Sequence, residues 1–301
     1  MMADWDDLKV FLAVARGESL SRAGRVLKLD AATVGRRVAR LEEAMGARLF
    51  TRSPQGYVLT DEGARLVAPA EAIEAQMARA AEALAGPAEG ISGQVRIGAP
   101  DGAANYLLPQ VVARIVAANP GLEVQIVALP RVFSLTRREA DMVIAVSKPE
   151  QGRVIATKIT DYRLSLAASD AYLGSAPPLG SLADLPAHRV IGYIPDMIFD
   201  RELDYLADLG VEQPPVASNS VSVQLNLIRQ GAGVGVVHDF ALPAAPGVRR
   251  VLTRDFGLTR AFHLIRHADD RRVPRIERFA EVLVAGLRAE VARLEAQSQE
   301  G

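Results

Sequence analysis

Residues Ala31–Met45 read AATVGRRVARLEEAM. The apolar side chains recur at intervals of four, three and four residues: Val34, Val38, Leu41 and Met45. This spacing lies on one face of an α-helix, and Gly46 is suited to end it. At about 100° per residue, the opposite face gathers polar and basic side chains. These are Thr33, Arg36 and Arg40, with Arg37 on the flank. The stretch therefore predicts an amphipathic helix with a basic outer face.

Two shorter helices are predicted before this one. The first ends at Gly17, and the second covers residues 21 to 28 with Ser19 or Ser21 as its cap. The second is predicted to bury Ala23, Val26 and Leu27. Two short helices joined by a turn, the second of them basic, are typical of a helix-turn-helix. On an isolated helix a solvated charged face would be an equal interpretation, but the position in this motif favours contact with DNA.

The charge of the chain is unevenly distributed. Residues 16 to 60 contain nine basic and four acidic side chains, a net charge of +5, while the whole chain carries −1. A basic head on an acidic body is expected of a DNA-binding module joined to another domain. Arginine suits this role because it donates paired hydrogen bonds to guanine or to phosphate, and the sequence leaves open which arginine does which. We predict DNA contacts for Ser21, Arg22, Thr33, Arg36, Arg37, Arg40, Arg52 and Gln55.

A wing and a long helix follow. Residues 47 to 60 contain two β-like runs around a Ser-Pro-Gln-Gly turn, which predicts a two-stranded wing with Arg52 and Gln55 at its tip. Thr60 is placed to cap the next helix. That helix carries a heptad seam: Leu66, Ala70, Ile73, Met77, Ala80 and Leu84. The seam also suits a surface helix packed on its own domain, but between two domains it favours dimerisation.

Beyond Gly93 strands and helices alternate, which indicates an α/β fold with a parallel sheet. Two later β-like runs, residues 157 to 168 and 259 to 267, bracket a second α/β unit, so a two-lobed domain with a cleft is predicted. The predicted fold class is thus a winged helix-turn-helix followed by a two-lobed α/β domain. The predicted boundaries are 1–60 for DNA binding, 61–86 for the linker helix and 87–301 for the last domain. Its lobes are 93–158 with 266–301, and 159–265.

The chain resembles the LysR-type transcriptional regulators over almost its whole length. The resemblance is carried by VGRRVARLEE at residues 34–43, LFTR at 49–52, LTDEG at 59–63 and QGAGVGV at 230–236. It implies a coiled-coil linker helix, a domain like the periplasmic binding proteins, an inducer between the lobes, and tetramers built from dimers. The chain departs from the family pattern at three positions. Gly35 stands where serine is usual, Arg37 where glutamine is frequent, and Gly24 where alanine is common.

Ligands of open α/β sheets bind beyond the carboxyl ends of strands. We therefore predict effector contacts for Asp101, Gly102, Arg131, Phe133, Tyr193, Asp196, Ser218 and Asn219. Each of these also suits a turn or a cap, and Asp101 and Arg131 are alternatively a neutralising pair. Because the aspartate repels anions, we expect a neutral or partly cationic polar effector.

Several kinds of chemistry are not expected. The chain has no cysteine, which excludes disulfides and thiolate chemistry. His263 and His267 are four apart on a β-like run, about 13 Å, too far for one metal. The glycines of residues 231–235 follow a helix and lead into a strand, the reverse of a dinucleotide site. We expect no cofactor, no metal and no catalysis.

The predicted partners are double-stranded DNA, a small-molecule effector and further copies of the chain, as a homodimer or homotetramer. No run reaches the roughly 20 apolar residues that span a bilayer, and no signal pattern begins the chain. We therefore expect a cytoplasmic protein without a membrane partner. A plain solute-binding protein and an α/β enzyme are the alternatives. The first would lack the basic head, and the second would need a reactive constellation.

Overall fold

The computed structural model describes residues 4–53, 56–84, 90–128, 140–149, 154–268 and 273–300. The described residues form two compact units. One lies within Met1–Glu89, and the other is made of residues from Gly90–Leu135, Ala140–Ala268 and Pro274–Gly301. Each unit has its own buried apolar core.

The first unit begins with three helices: α1 (Trp5–Gly17), α2 (Leu20–Leu27) and α3 (Ala31–Met45). Each helix has an acceptor side chain at its start: Asp4, Ser19 and Asp30. Such caps satisfy the free amide groups of a first turn. The core is built from Phe11, Val34, Leu41 and their apolar neighbours. The helix-turn-helix expected from the sequence is present, and α3 has the predicted bounds.

Two predictions of burial are wrong. Val26 is 78 % exposed, and Met45 is 41 % exposed. Helix α2 begins at Leu20 rather than Ser21. Its inward face consists of Leu20, Ala23, Gly24 and Leu27, so Val26 faces away from the core. Met45 is the last residue of α3 and lies where the helix leaves the core.

The wing and the long helix complete this unit. Strands β1 (Phe50–Ser53) and β2 (Gly56–Leu59) pair antiparallel, and α4 covers Asp61–Leu84. The hydroxyl of Thr60 accepts a hydrogen bond from the Gly63 amide at 3.0 Å, which caps α4. Ala70, in the first half of α4, is fully buried against the core. Ile73 and Met77, further along the same seam, are 43 % and 50 % exposed.

The second unit contains one mixed sheet, with the strand order β4-β3-β5-β11-β6-β9-β7-β8 and β10 beside β6. Its strands are β3 (Gly93–Ala99), β4 (Leu122–Ala128), β5 (Met142–Ala145), β6 (Val154–Ser169), β7 (Val190–Gly192), β8 (Val216–Ala217), β9 (Val234–His238), β10 (Val248–Arg250) and β11 (Leu258–His267). The pairs within β4-β3-β5 and within β9-β7-β8 are parallel. The long strands β6 and β11 join these two parallel halves by antiparallel pairing. The first half, β4-β3-β5, is parallel as predicted, whereas the sheet as a whole is mixed.

The helices of this unit are α5 (Asp101–Tyr106), α6 (Leu108–Ala118), α7 (Asp170–Ser175), α8 (Val221–Arg229) and α9 (Pro274–Glu300). The sequence of residues 106 to 118 taken alone predicts a single helix. The chain instead forms α5 and α6, which meet at Leu107. Because α5 begins directly after β3, the first predicted effector residue lies on a helix and not in a loop.

The glycine-rich run between α8 and β9 is explained by close packing. A Cβ atom at Gly233 would lie 2.1 Å from the carbonyl oxygen of Arg189, where no side chain fits. Gly231, just after the helix, has a φ of +77°, which glycine adopts readily. The run therefore ends a helix and enters a strand, as the sequence indicated.

Candidate functional site: the outer face of helix α3 and the junction of helices α5 and α8

A chain of hydrogen bonds organises the first turns of α3. The Asp30 carboxylate accepts from the Thr33 amide at 2.8 Å and from the Thr33 hydroxyl at 2.7 Å. These bonds hold the pKa of Asp30 below its ordinary value. The Thr33 hydroxyl in turn accepts from Nη2 of Arg36 at 2.9 Å. The guanidinium of Arg36 is thereby fixed on the exposed face with further donors in solvent.

Arg40, one turn further along the same face, is bound within the unit. Its guanidinium donates to both oxygens of Asp7 on α1, each at 2.5 Å. The Asp7 side chain is only 2 % exposed, whereas that of Arg40 is 52 % exposed. A buried carboxylate needs such a partner, because an unpaired charge away from water is costly. Arg40 therefore has a structural role, in addition to the DNA contact that we predicted for it.

The other predicted DNA residues that the structure describes lie on the surface of the first unit. Arg37 is 3.8 Å from the Asp6 carboxylate, and Ser21 and Arg22 are exposed on α2. The Arg52 side chain donates to the Tyr57 hydroxyl at 3.1 Å and lies over its ring, which directs the guanidinium along the wing. Gln55 lies outside the described residues. The described candidates thus gather on α2, α3 and the wing.

Glu42 is a structural residue that sequence reasoning missed. It is buried, and Oε1 accepts from the amides of Leu49 and Phe50 at 2.8 and 3.3 Å. Its other oxygen accepts from Arg48 at 2.9 Å. Glu42 therefore connects the end of α3 to the first strand of the wing. A signal existed, because Glu42 directly follows Leu41 on the inward side of the helix.

Asp101, the first residue of α5, binds the start of α8. Its Oδ2 atom accepts three hydrogen bonds: from the Ser220 hydroxyl at 3.0 Å, the Ser222 amide at 2.9 Å and the Ser222 hydroxyl at 2.8 Å. The other oxygen accepts from Asn105 at 3.0 Å. The positive end of the α8 dipole also favours an anion there. The carboxylate thus has protein partners other than the predicted Arg131.

The remaining effector candidates have mixed surroundings. Gly102 is buried, and a Cβ atom there would lie 3.2 Å from the ring of His238 and from Val221. Ser218 shapes the turn before α8, since its hydroxyl accepts from the Ser220 amide. Asn219 is half-buried beside it, Tyr193 follows β7, and Asp196 is exposed nearby. Arg131 and Phe133 lie outside the described residues.

His238 lies behind this junction in an aromatic cluster. Its ring stacks on Tyr162 with centroids 5.4 Å apart, and Nε2 lies 3.4 Å from the Tyr205 hydroxyl. Nδ1 of His188 likewise lies 3.1 Å from the Tyr172 hydroxyl, so each of these two histidines has a tyrosine partner that the sequence did not reveal. Burial lowers the pKa of His238 from its ordinary 6.5 to about 4, although the charge of Asp101 opposes this shift.

Acid is expected to destabilise the second unit through His238. The unfolded imidazole takes up a proton near pH 6.5 and the folded one only near pH 4, so the unfolded state binds more protons between these values. Stability is therefore lost as the pH falls through this window, by about 2 kcal/mol between about pH 7 and about pH 5. Urea unfolding followed by tyrosine near-UV circular dichroism measures it, because five of the six tyrosines lie in this unit. His238→Gln removes the group, and an unchanged acid loss in that variant would contradict the assignment.

The described residues contain no group of three or more histidine, aspartate and glutamate side chains arranged to hold a metal ion. Among the described helices, none combines the length and the apolar character needed to cross a membrane.

Two family models match the chain in succession. The model described as bacterial regulatory helix-turn-helix protein, lysR family, matches residues 5–64. The model described as LysR substrate binding domain matches residues 88–288. The first covers α1, α2, α3 and the wing of the first unit, and the second contains the sheet with the junction of α5 and α8.

The chain is also similar to individual transcriptional regulators and to a solved structure of the OxyR protein. The HTH-type transcriptional regulator BbuR of Bordetella bronchiseptica is 28 % identical over 303 residues, which covers 96 % of this chain and 91 % of that protein. The HTH-type transcriptional regulator PtxR of Pseudomonas aeruginosa is 27 % identical over 238 residues, 77 % of this chain and 76 % of that protein. A full-length OxyR variant from Pseudomonas aeruginosa superposes with a TM-score of 0.71 at 19 % identity, covering 95 % of this chain and 98 % of that one.

A helix-turn-helix unit joined to an α/β substrate-binding unit defines a ligand-responsive transcriptional regulator. The chain belongs to the LysR family of DNA-binding transcriptional regulators, as the two matches together show. Members of this family bind DNA and small-molecule effectors and form oligomers. The fold class and family expected from the sequence are therefore confirmed.

Proposed function

We propose that the chain recognises operator DNA through the outer face of α3, with the wing beside it, and that an effector in the second unit modulates this binding. In this proposal residues 1–60 contact DNA, 61–86 link and dimerise, and 87–301 bind the effector in two lobes. The protein has no catalytic role, acts in the cytoplasm without a membrane partner, and forms a homodimer or homotetramer. An effector can change the affinity for DNA only through a difference in its own affinity for the two states of the protein.

The observation that carries the DNA-binding proposal is the arrangement of Arg36. The guanidinium is exposed and is oriented by its hydrogen bond to Thr33. Among the described residues, no acidic side chain forms an ion pair with it. In helix-turn-helix proteins the early residues of the second helix contact base edges, and Arg36 is the sixth residue of α3. Arg22 and Arg52 are exposed on either side of it in sequence, which supplies further charge for phosphates.

The exposed half of α4 supports the oligomer. Ile73 and Met77 belong to the same heptad seam as Ala70. Ala70 is buried, whereas Ile73 and Met77 are about half exposed in the single chain. A heptad seam buries such side chains against a partner helix. We therefore assign the second half of α4 to the contact between two copies.

Replacing Arg36 with alanine is expected to weaken DNA binding about tenfold or more, because a paired contact to a base is worth about 1–3 kcal/mol. The measurement is fluorescence anisotropy of the full chain with a duplex selected from a random-sequence library, repeated over a range of salt concentrations. The affinity of the unaltered protein should fall steeply with salt, as phosphate contacts require.

Arg65→Ala is the matched control. Arg65 is exposed on α4 and paired with Glu62, so the change removes the same charge from the same unit outside the proposed face. Equal losses in the two variants would show that only net charge matters and would contradict the role of Arg36. If the unaltered protein failed to bind any duplex at low ionic strength, the whole proposal would be wrong.

A further inference from the structure

A large cavity lies between the β9-β7-β8 half of the sheet and the segment that joins β7 to β8. Its volume is about 530 Å³, and all its lining residues fall between Ile191 and Val236. This size is in the range of cavities that bind small molecules, about 300–1,000 Å³. Asp101 and the rest of α5 do not line the cavity, whereas Gln224 of α8 and Tyr193 do, so the cavity lies beside the junction described above and not within it.

The inner surface of the cavity is apolar and belongs partly to buried strands. Ile191 of β7 and Val236 of β9 form part of it, and both are buried in the sheet. Leu203 and Leu206, from the segment between β7 and β8, line it as well and are also buried. An apolar ring or chain placed here would be removed from water, and such burial favours binding by about 25 cal/mol per Å² of apolar surface.

Aromatic and neutral polar groups line another part of the cavity. The rings of Tyr193 and Tyr205 meet edge to face with centroids 5.7 Å apart, and both line the cavity. Burial raises the pKa of both hydroxyls well above the ordinary value, so they stay neutral. Gln224 is held by a 2.7 Å hydrogen bond from its amide to the Ser218 carbonyl. The lining therefore offers aromatic surface and neutral polar groups around the apolar part.

The charge at the cavity is negative. Asp204 and Glu212 line it, and neither makes an ion pair with the residues that the structure describes. No lysine, arginine or histidine is part of the lining. Residues 193 to 214 carry six acidic side chains and one basic one, a net charge of −5, and Arg260 of β11 offsets one of these charges by pairing with Glu202 at 2.8 Å. A cation is attracted to such a surface and an anion is repelled.

We infer that this cavity is a binding site for an amphipathic cation, an apolar or aromatic body that carries an ammonium group. The body contacts Ile191, Val236 and the tyrosine rings, and the ammonium lies by Asp204 and Glu212. The inference rests on the proposed function in one respect, since it assigns a ligand class to the effector-binding unit. It differs from the position between the lobes that the sequence predicted.

Three probes of similar shape and different charge test the inference. Tryptamine is a cation, tryptophol is neutral and indole-3-acetate is an anion, and all three carry the same ring. Isothermal titration calorimetry on the full chain should show tryptamine binding about tenfold tighter than tryptophol, with indole-3-acetate the weakest. Equal affinities for the three, tighter binding of the anion, or no binding of any would overturn the inference.

A charge-only variant locates the binding. Combining Asp204→Asn with Glu212→Gln keeps the size of both side chains and should reduce the affinity for tryptamine to that for tryptophol. The control is Asp208→Asn, which neutralises an exposed acid of the same segment outside the lining and should leave the affinity within about twofold. An equal loss in the control would contradict this site. Tyrosine near-UV circular dichroism reports whether each variant is folded, and the comparison of the three probes on the unaltered protein does not depend on them.

The same samples separate this inference from the proposed function. Binding of tryptamine is measured without DNA, and binding of duplex DNA is measured without an amine. Protein that binds DNA but no amine contradicts only the ligand class. Protein that binds the amine but no duplex contradicts only the regulator proposal.

Discussion

Arg40→Ala is expected to unfold the first unit at a urea concentration lower by roughly 1 M. The change removes the partner of the Asp7 carboxylate, which is 2 % exposed and accepts both of its short hydrogen bonds from Arg40. A buried carboxylate left alone is far less stable than one in a pair. Loss of DNA binding in this variant would then arise partly from unfolding.

The chain has a probe for this measurement. Its only tryptophan, Trp5, packs against the core of the first unit, so tryptophan fluorescence reports on that unit alone. Arg36→Ala is the matched control, because it removes the same side chain one turn earlier on α3 without leaving a buried acid. Its midpoint should remain close to that of the unaltered protein.

A double variant distinguishes between an unpaired buried charge and lost packing as the cause of the destabilisation. If the loss comes from the buried charge, then Asp7→Ala together with Arg40→Ala should be less destabilised than Arg40→Ala alone, because no charge is left unpaired. A Trp5 transition that does not move in Arg40→Ala would show that the pair is only a surface contact. A double variant as unstable as the sum of the single ones would point to lost packing.

Asp101→Ala should loosen the connection between α5 and α8 and lower the stability of the second unit by about 3 kcal/mol. Three of the hydrogen bonds to Oδ2 are charge-assisted, and they join two helices that start 120 residues apart along the chain. Without the carboxylate, the amide of Ser222 and the start of α8 lose their acceptor within the protein.

Hydrogen exchange of the Ser222 amide measures the local effect, and urea unfolding by tyrosine circular dichroism measures the global one. Asp101→Asn should give an intermediate result, since its amide oxygen still accepts but carries no charge. Asp196→Ala removes an exposed acid of the same unit and should change neither quantity. Unaltered exchange at Ser222 in Asp101→Ala would contradict the connection.

Local patterns predicted much of the first unit. The apolar spacing of α3 and the residues at its two ends gave its bounds, because each of these signals lies within a few positions of the element. The error at Val26 arose because the apolar pattern of Ala23, Val26 and Leu27 overlaps with that of Leu20, Ala23, Gly24 and Leu27, and the folded helix buries the second. On a helix as short as α2, periodicity alone does not distinguish between two overlapping faces.

The contacts of the candidate site were harder to predict, since they join distant residues. Asp7 and Arg40 are 33 positions apart, and no sequence pattern relates them. Asp101 was singled out, but its serine partners lie 119 and 121 positions away. The serines of residues 218–222 suit a capped helix start, and Ser220 does cap α8, yet only the sheet topology brings this run beside α5. The order of strands, with β6 and β11 between two parallel halves, also depends on pairing that a linear sequence does not show.

The Asp101 carboxylate acts as a built-in competitor at the start of α8. A tethered group has an effective concentration on the order of millimolar or more, so a free carboxylate aimed at the same serines must outcompete a rival that never diffuses away. Only an acid with intrinsic affinity well beyond that level would displace it. Ligands that bind elsewhere meet no such opposition, so a free carboxylate is expected to bind weakly at the start of α8 because one side chain of the protein already occupies it.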